Sequence, residues 1–218
     1  MTNLFMKITC FLIIVSTIFS NSCKIQTNNF EGIIKYSISV KSLDSTLKQS
    51  IDYYGDSVIV YFKDGHYKQE YPNAKNISET FYDNNSKRYY ISYHGKDTLY
   101  YFDASRTTSK YLFTKIQKPD TILLGFNCKL ASVTGQNVTR IFYYAPDLTV
   151  SAQSFKNHKY GGYDIFSQNT KSVYLAEITQ YRSIIYYFIA YKIEKRKLDD
   201  SVFNLPNLPL KKYNQITN

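Results

Sequence analysis

Residues 120–146, DTILLGFNCKLASVTGQNVTRIFYYAP, decide the fold. They read as a short lead-in strand, a kink at Gly125, and two strands joined across Thr134-Gly135-Gln136-Asn137. Phe126, Cys128 and Leu130 alternate with Asn127 and Lys129, the period of a half-buried strand. The partner stretch 138–144 is β-branched and aromatic, and Pro146 is expected to end it.

Further strands extend outward from this pair. Residues 30–40 alternate, with Ile34, Tyr36, Ile38 and Val40 against Lys35, Ser37 and Ser39. Residues 56–63 and 66–71 flank Asp64-Gly65, whose positive φ angles suit a two-residue hairpin turn. Segments 77–83, 87–94 and 98–103 read as further strands, and 104–118 as a helical turn and a short strand. Residues 172–180 and 183–197 are the last long strands. The run 183–193, SIIYYFIAYKI, is so apolar that burial on both faces is expected. Leu43, Leu47 and Ile51 are spaced by four, which indicates a short helix over 42–52 capped by Ser42. Residues 147–162 read as an irregular, partly helical crossing.

The expected fold class is therefore mainly β (α+β). About nine to eleven strands form a curved antiparallel sheet or half-barrel, because a flat sheet of that size would leave apolar surface bare. One or two short helices, near 43–51 and 155–166, would cover its concave face. Residues 30–206 form one domain and 207–218 a C-terminal tail.

With 218 residues, 44% of them hydrophobic and 17% aromatic, the chain can bury a substantial core. Tyr 23 and Phe 14 with Trp 0 favour strands. The net charge of +10 is scattered, with basic runs only at Lys195-Arg196-Lys197 and Lys211-Lys212. That pattern matches a composition rich in Lys, Asn, Ile, Tyr and Phe together, not a nucleic-acid footprint, so no nucleic-acid partner is expected.

Residues 1–22 read as a targeting segment. Its apolar run, 8–19, is about 12 residues long, short of the ~20 needed to span a bilayer. It ends in Ser20-Asn21-Ser22-Cys23, which resembles the lipobox of bacterial lipoproteins. That resemblance implies cleavage before Cys23, acylation of Cys23 and attachment to the membrane through it. Ser20 stands where that family usually carries Leu, so ordinary signal cleavage is the other reading. Residues 23–29 would then be a tether. Cys10 leaves with the signal and Cys23 is acylated, so Cys128 has no partner for a disulfide and reads as a small core residue.

The stretches 30–36 (FEGIIKY), 124–129 (LGFNCK), 142–147 (FYYAPD) and 198–206 (LDDSVFNLP) together resemble the GLPGLI-type, LolA-like exported lipoproteins of Gram-negative envelopes. The GLPGLI motif itself is absent, and Tyr160-Gly161-Gly162-Tyr163-Asp164-Ile165-Phe166 occupies its place. The resemblance implies an unclosed barrel holding an apolar cavity under helices. It also implies an exported location in the cell envelope, lipid-anchored at the outer membrane.

No P-loop, dinucleotide fingerprint or nucleophile elbow is present. His66, His94 and His158 share no ligand spacing and read as surface strand or loop residues, so no metal and no cofactor is expected. Asp83, Asp103 and Asp147 fall near strand ends, where carboxylates shape turns. The chain is thus expected not to be an enzyme. The candidate ligand-binding residues are Tyr36, Tyr143, Tyr144, Tyr186 and Phe188, with core and rim packing as the competing reading. The leading expectation is a lipid-anchored envelope protein that binds a hydrophobic ligand or a lipoprotein partner. The alternative is a non-catalytic structural or interaction module with a filled core.

Overall fold

A computed structural model describes residues 29–44 and 53–213. The targeting segment, Cys23, most of the tether and nearly all of the helix expected over 42–52 lie outside the described residues. The strands are β1 (Gly32–Ser42), β2 (Ser57–Lys63), β3 (His66–Glu70), β4 (Ile77–Asp83), β5 (Arg88–Tyr93), β6 (Leu99–Asp103), β7 (Leu112–Leu123), β8 (Phe126–Thr134), β9 (Val138–Thr149), β10 (Ser172–Tyr181), β11 (Ile184–Lys195) and β12 (Leu210–Lys212). They form one 12-stranded sheet in the order β12-β6-β5-β4-β3-β2-β1-β11-β10-β9-β8-β7. Every pairing is antiparallel except β12 with β6. The ends β12 and β7 do not meet, so the sheet is open.

The sheet is strongly curved. Two short helices, α1 (Ala152–Phe155) and α2 (Tyr163–Thr170), lie against one face, with a single 3-10 turn (Tyr160–Gly162) before α2. Tyr163 touches Tyr67 of β3 at 5.7 Å, while Phe166 touches Phe142 of β9 at 4.3 Å. These two helix rings are only 5.7 Å apart. In a flat sheet the five steps from β3 to β9 would separate those strands by about 24 Å, at about 4.8 Å per step. Only a curled sheet brings both within reach of one helical turn. The concave core is accordingly aromatic, with Tyr36, Tyr82, Phe142, Phe155 and Phe166 fully buried.

Several sequence expectations change. The kink at Gly125 is a hairpin turn: Leu124 and Gly125 have φ of 50° and 81°, and β7 returns antiparallel as β8. The lead-in strand is therefore twelve residues long, absorbing much of the stretch read as a helical turn and a short strand. Pro146 does not end β9. It sits where the β9–β10 register shifts, a place where a missing N–H is tolerated. There the Ser172 hydroxyl donates to the Ala145 carbonyl. The run 183–193 is not buried on both faces: Ile189 and Tyr191 are 45% and 54% exposed. Among the described residues, nothing covers their side of the sheet at that point. The strand count exceeds nine to eleven because the stretch read as a tail supplies β12. Before β12, the 3-10 turn Asp200–Phe203 packs Phe203 against Phe81 on the convex face, and Lys63 holds the Leu198 carbonyl at 2.6 Å.

Candidate functional site

Alternation along β9 puts Arg140, Phe142 and Tyr144 on the concave face. Glu177 of β10 lies diagonally beside Arg140 on the same face, in register with Phe142. Helix α2 covers Phe142 and Tyr144 with Phe166, at 4.3 and 6.3 Å, whereas Arg140 meets only the 3-10 turn before it. What remains there is a charged pair among aromatic rings. Arg140 Nε donates to Glu177 Oε1 at 2.8 Å, and Nη1 donates to the Gly161 carbonyl at 3.0 Å. Thr179 also donates to Glu177 Oε1. Burial works against the guanidinium charge, but the Glu177 carboxylate more than offsets it and holds Arg140 protonated. Glu177 is 2% exposed.

Gly161 is required by this arrangement. Its φ of 64° is left-handed, and a Cβ there would lie 2.4 Å from Arg140 Nη1. The glycine lets the backbone approach the guanidinium closely enough for its carbonyl to accept.

Two adjoining spaces flank the pair. An inner cavity of about 130 Å³ is lined by Tyr36, Gln69, Thr80, Tyr89, Arg140 and Glu177 among others. An outer cleft of about 410 Å³ is lined by Tyr54, Tyr160, Tyr186, Phe188, Arg140 and Glu177 among others. Tyr54 forms one wall, edge-on to Tyr186 at 5.5 Å and to Phe188 at 6.0 Å. Tyr160 forms another, against Tyr89 and Phe102 at 5.3 and 5.1 Å. The Tyr36 hydroxyl donates to the Tyr174 carbonyl at 2.7 Å, and burial pushes its phenol pKa well up, so it stays neutral.

The expected ligand-binding residues thus divide. Tyr36 lines the inner cavity, Tyr186 the outer cleft and Phe188 both. Tyr144 lies beneath Phe166, in the filled half. Tyr143 alternates to the convex face, between Leu130 and Ala176. Arg140, Glu177, Tyr54 and Tyr160 were not singled out from the sequence. The signal was there for the first two: each is a lone charge on its strand face.

The histidines separate as well. His94 is exposed. His66 stacks on Phe81 and meets Asp83 at 3.2 Å within the turn after β4, where Asp83 also accepts from the backbone of Asn85 and Ser86. His158 is not a surface residue but 1% exposed, its Nε2 2.5 Å from the Tyr67 hydroxyl and its ring stacked on Tyr82 at 4.3 Å. Burial, with Arg140 nearby, lowers its pKa to about 3, so it is neutral. Among the described residues no group of three His, Cys, Asp or Glu side chains is placed to hold a metal ion, and no helix is long and apolar enough to cross a membrane. Cys128 is fully buried.

No family model matches the chain. No curated protein matches it either. Two solved structures of PNGF-II, in space groups P21 and C2, align with 84% and 85% of this chain at 12% and 14% identity, with TM-scores of 0.49 and 0.48. The chain spans about a third of the length of each, 32%. A likeness at that level carries no argument about fold or function.

Proposed function

We propose that this protein is an exported lipoprotein, acylated at Cys23 and held at the outer membrane of a cell envelope, whose half-barrel binds one small, largely apolar ligand in the cleft beside Arg140. The observation that carries the reading is the incomplete filling of the concave face. Helix α2 plugs the Phe142–Tyr144 end, while the Arg140 end keeps an aromatic-walled space of about 410 Å³. That volume falls in the range of roughly 300–1,000 Å³ usual for small-molecule sites, where apolar walls surround a few placed polar groups. Binding without catalysis fits a site whose one charged pair is mutually neutralised and whose nearest histidine is locked in an aromatic stack.

The alternative, an interaction module with a filled core, draws on the bare convex side of β11, where Ile189 and Tyr191 are exposed. One experiment separates the two. The chain carrying Cys23→Ser is purified from the exported fraction and examined by native mass spectrometry, and by displacement of an apolar fluorescent probe. A retained small molecule, or probe displacement lost in Phe188→Ala, supports the ligand reading. Absence of both overturns it in favour of the interaction module. For the anchor, Cys23→Ala should release the protein from membranes, and unchanged membrane attachment would refute acylation.

A further inference from the structure

The polar floor of the cleft specifies what the ligand carries at its buried end, an inference that rests on the ligand reading above. The hydrogen bonds of Arg140 involve Nε and Nη1, and those of Glu177 involve Oε1. Arg140 Nη2 and Glu177 Oε2 have no hydrogen-bond partner among the described residues. Both side chains line the inner cavity and the outer cleft alike. A guanidinium N–H can only donate, and a carboxylate oxygen can only accept. Side by side at one void, they form a two-point acceptor–donor reader.

We propose that the ligand is an amphipathic molecule whose head is uncharged and both accepts and donates, a hydroxyl or a primary amide, seated between Arg140 Nη2 and Glu177 Oε2. Its apolar body lies between Tyr54, Tyr160 and Phe188. Charge is what rules out the other heads. The pair sums to zero, so a carboxylate that satisfied Arg140 would sit against the Glu177 carboxylate in a poorly solvated space. An ammonium that satisfied Glu177 would sit against the guanidinium. Either burial leaves a like-charge contact that the remaining water screens only in part, since Glu177 is buried and Arg140 half-buried. A neutral head satisfies both partners and brings no net charge.

The test uses four probes that share one chain and differ in the head: decanamide, 1-decanol, decanoate and decylamine. Each is titrated against the exported chain carrying Cys23→Ser by displacement of the fluorescent probe. Decanamide or 1-decanol should bind at least about fivefold more tightly than decanoate and decylamine, the least that one unpaired buried polar group costs. Glu177→Gln, which leaves Arg140 uncompensated, should reverse the order in favour of decanoate. The ranking on the unsubstituted site is decisive even if Glu177→Gln fails to fold. Tightest binding of decanoate or decylamine, or equal binding of all four, overturns the head-group assignment and leaves the cleft as a ligand site. Binding of none of the four overturns the ligand reading itself, and this inference with it.

Discussion

Stability of this protein should fall as pH drops from 7 to 5, well before carboxylates titrate, and most of that fall should come from one residue. His158 is enclosed by Tyr67, Tyr82 and Tyr89 from the sheet and Tyr163 from α2, with Arg140 the charged group facing it. Its folded pKa is lowered from an ordinary 6.5 to about 3. A depressed pKa means that the unfolded chain binds the proton more readily. The contribution of His158 is therefore intact above about pH 6.5 and is lost as pH falls from there toward about 3. Each pH unit in that window costs about 1.4 kcal/mol. Between pH 7 and 5 about 1.5 units of it are crossed, so the loss is about 2 kcal/mol. That is a large share of a typical stability of roughly 5–15 kcal/mol, and it corresponds to about 4–8 °C in Tm for a domain this size. Urea denaturation at the two pH values, followed by tyrosine fluorescence, measures it. His158→Phe keeps the ring stack and removes the proton site. The variant loses the Tyr67 hydroxyl's partner at both pH values, so its absolute stability drops while its pH dependence flattens. The exposed His94 and the His66–Asp83 pair are common to both proteins and cancel. If wild type and His158→Phe lost the same stability between pH 7 and 5, His158 would not be buried among those rings, and the plugging of the concave face would be wrong.

Three further outcomes follow from the packing. Phe166→Ala removes a fully buried ring that touches Phe142, Tyr144, Tyr163 and Tyr174, and should cost about 3–5 kcal/mol in chemical denaturation with the β-sheet circular dichroism retained. A cost below about 1 kcal/mol would show that α2 is not wedged into the sheet. Gly161→Ala places a side chain 2.4 Å from Arg140 Nη1 at a left-handed φ, so it should cost at least about 1–2 kcal/mol and displace the guanidinium from the cleft floor. The reading at Gly161 fails if probe affinity and stability are both unchanged. Burial raises the pKa of the Cys128 thiol and removes it from solvent. In the chain carrying Cys23→Ser, a thiol reagent should label Cys128 only after denaturation, and rapid labelling of the native protein would refute its place in the core.

Legibility in the sequence tracked how local each determinant was. The Asp64-Gly65 hairpin was visible because its turn chemistry sits in two adjacent residues, and both take positive φ. The Leu124-Gly125 hairpin was misread because leucine is a poor signal for positive φ; only the returning register of β8 on β7 enforces it. The curvature was legible in outline, since so many aromatic strands cannot lie flat. The central pairing of β1 with β11 could not be deduced from any stretch, because its partners are brought together only by the whole chain. The site was half legible for a related reason. Tyr36, Tyr186 and Phe188 reach the cavity by simple alternation from their strands. Tyr143 does not, because of two adjacent tyrosines only one can face inward. Arg140 and Glu177 become a pair only when β9 and β10 lie side by side.

The two end strands of this open sheet are protected in different ways. At one end, β12 is only three residues long and is fixed to β6 by Leu99 N–H donating to the Pro209 carbonyl at 2.9 Å. At the other, β7 presents a twelve-residue edge, long enough to template a foreign strand. Its sequence carries three standard defences. Lys115 and Lys118 put charge on the edge, Pro119 offers no N–H, and the β7–β8 register is broken between Ile116 and Thr121. The break divides the edge into two shorter regular pieces. The exposed Leu112 and Ile122 therefore stand on either side of an interruption, not along a continuous sticky ribbon. Removing the defences together, as Lys115→Val, Lys118→Val and Pro119→Val, should leave the fold in place and produce concentration-dependent association through β7. A triple variant that stayed monomeric at high concentration would mean that the edge is protected by something other than its own sequence.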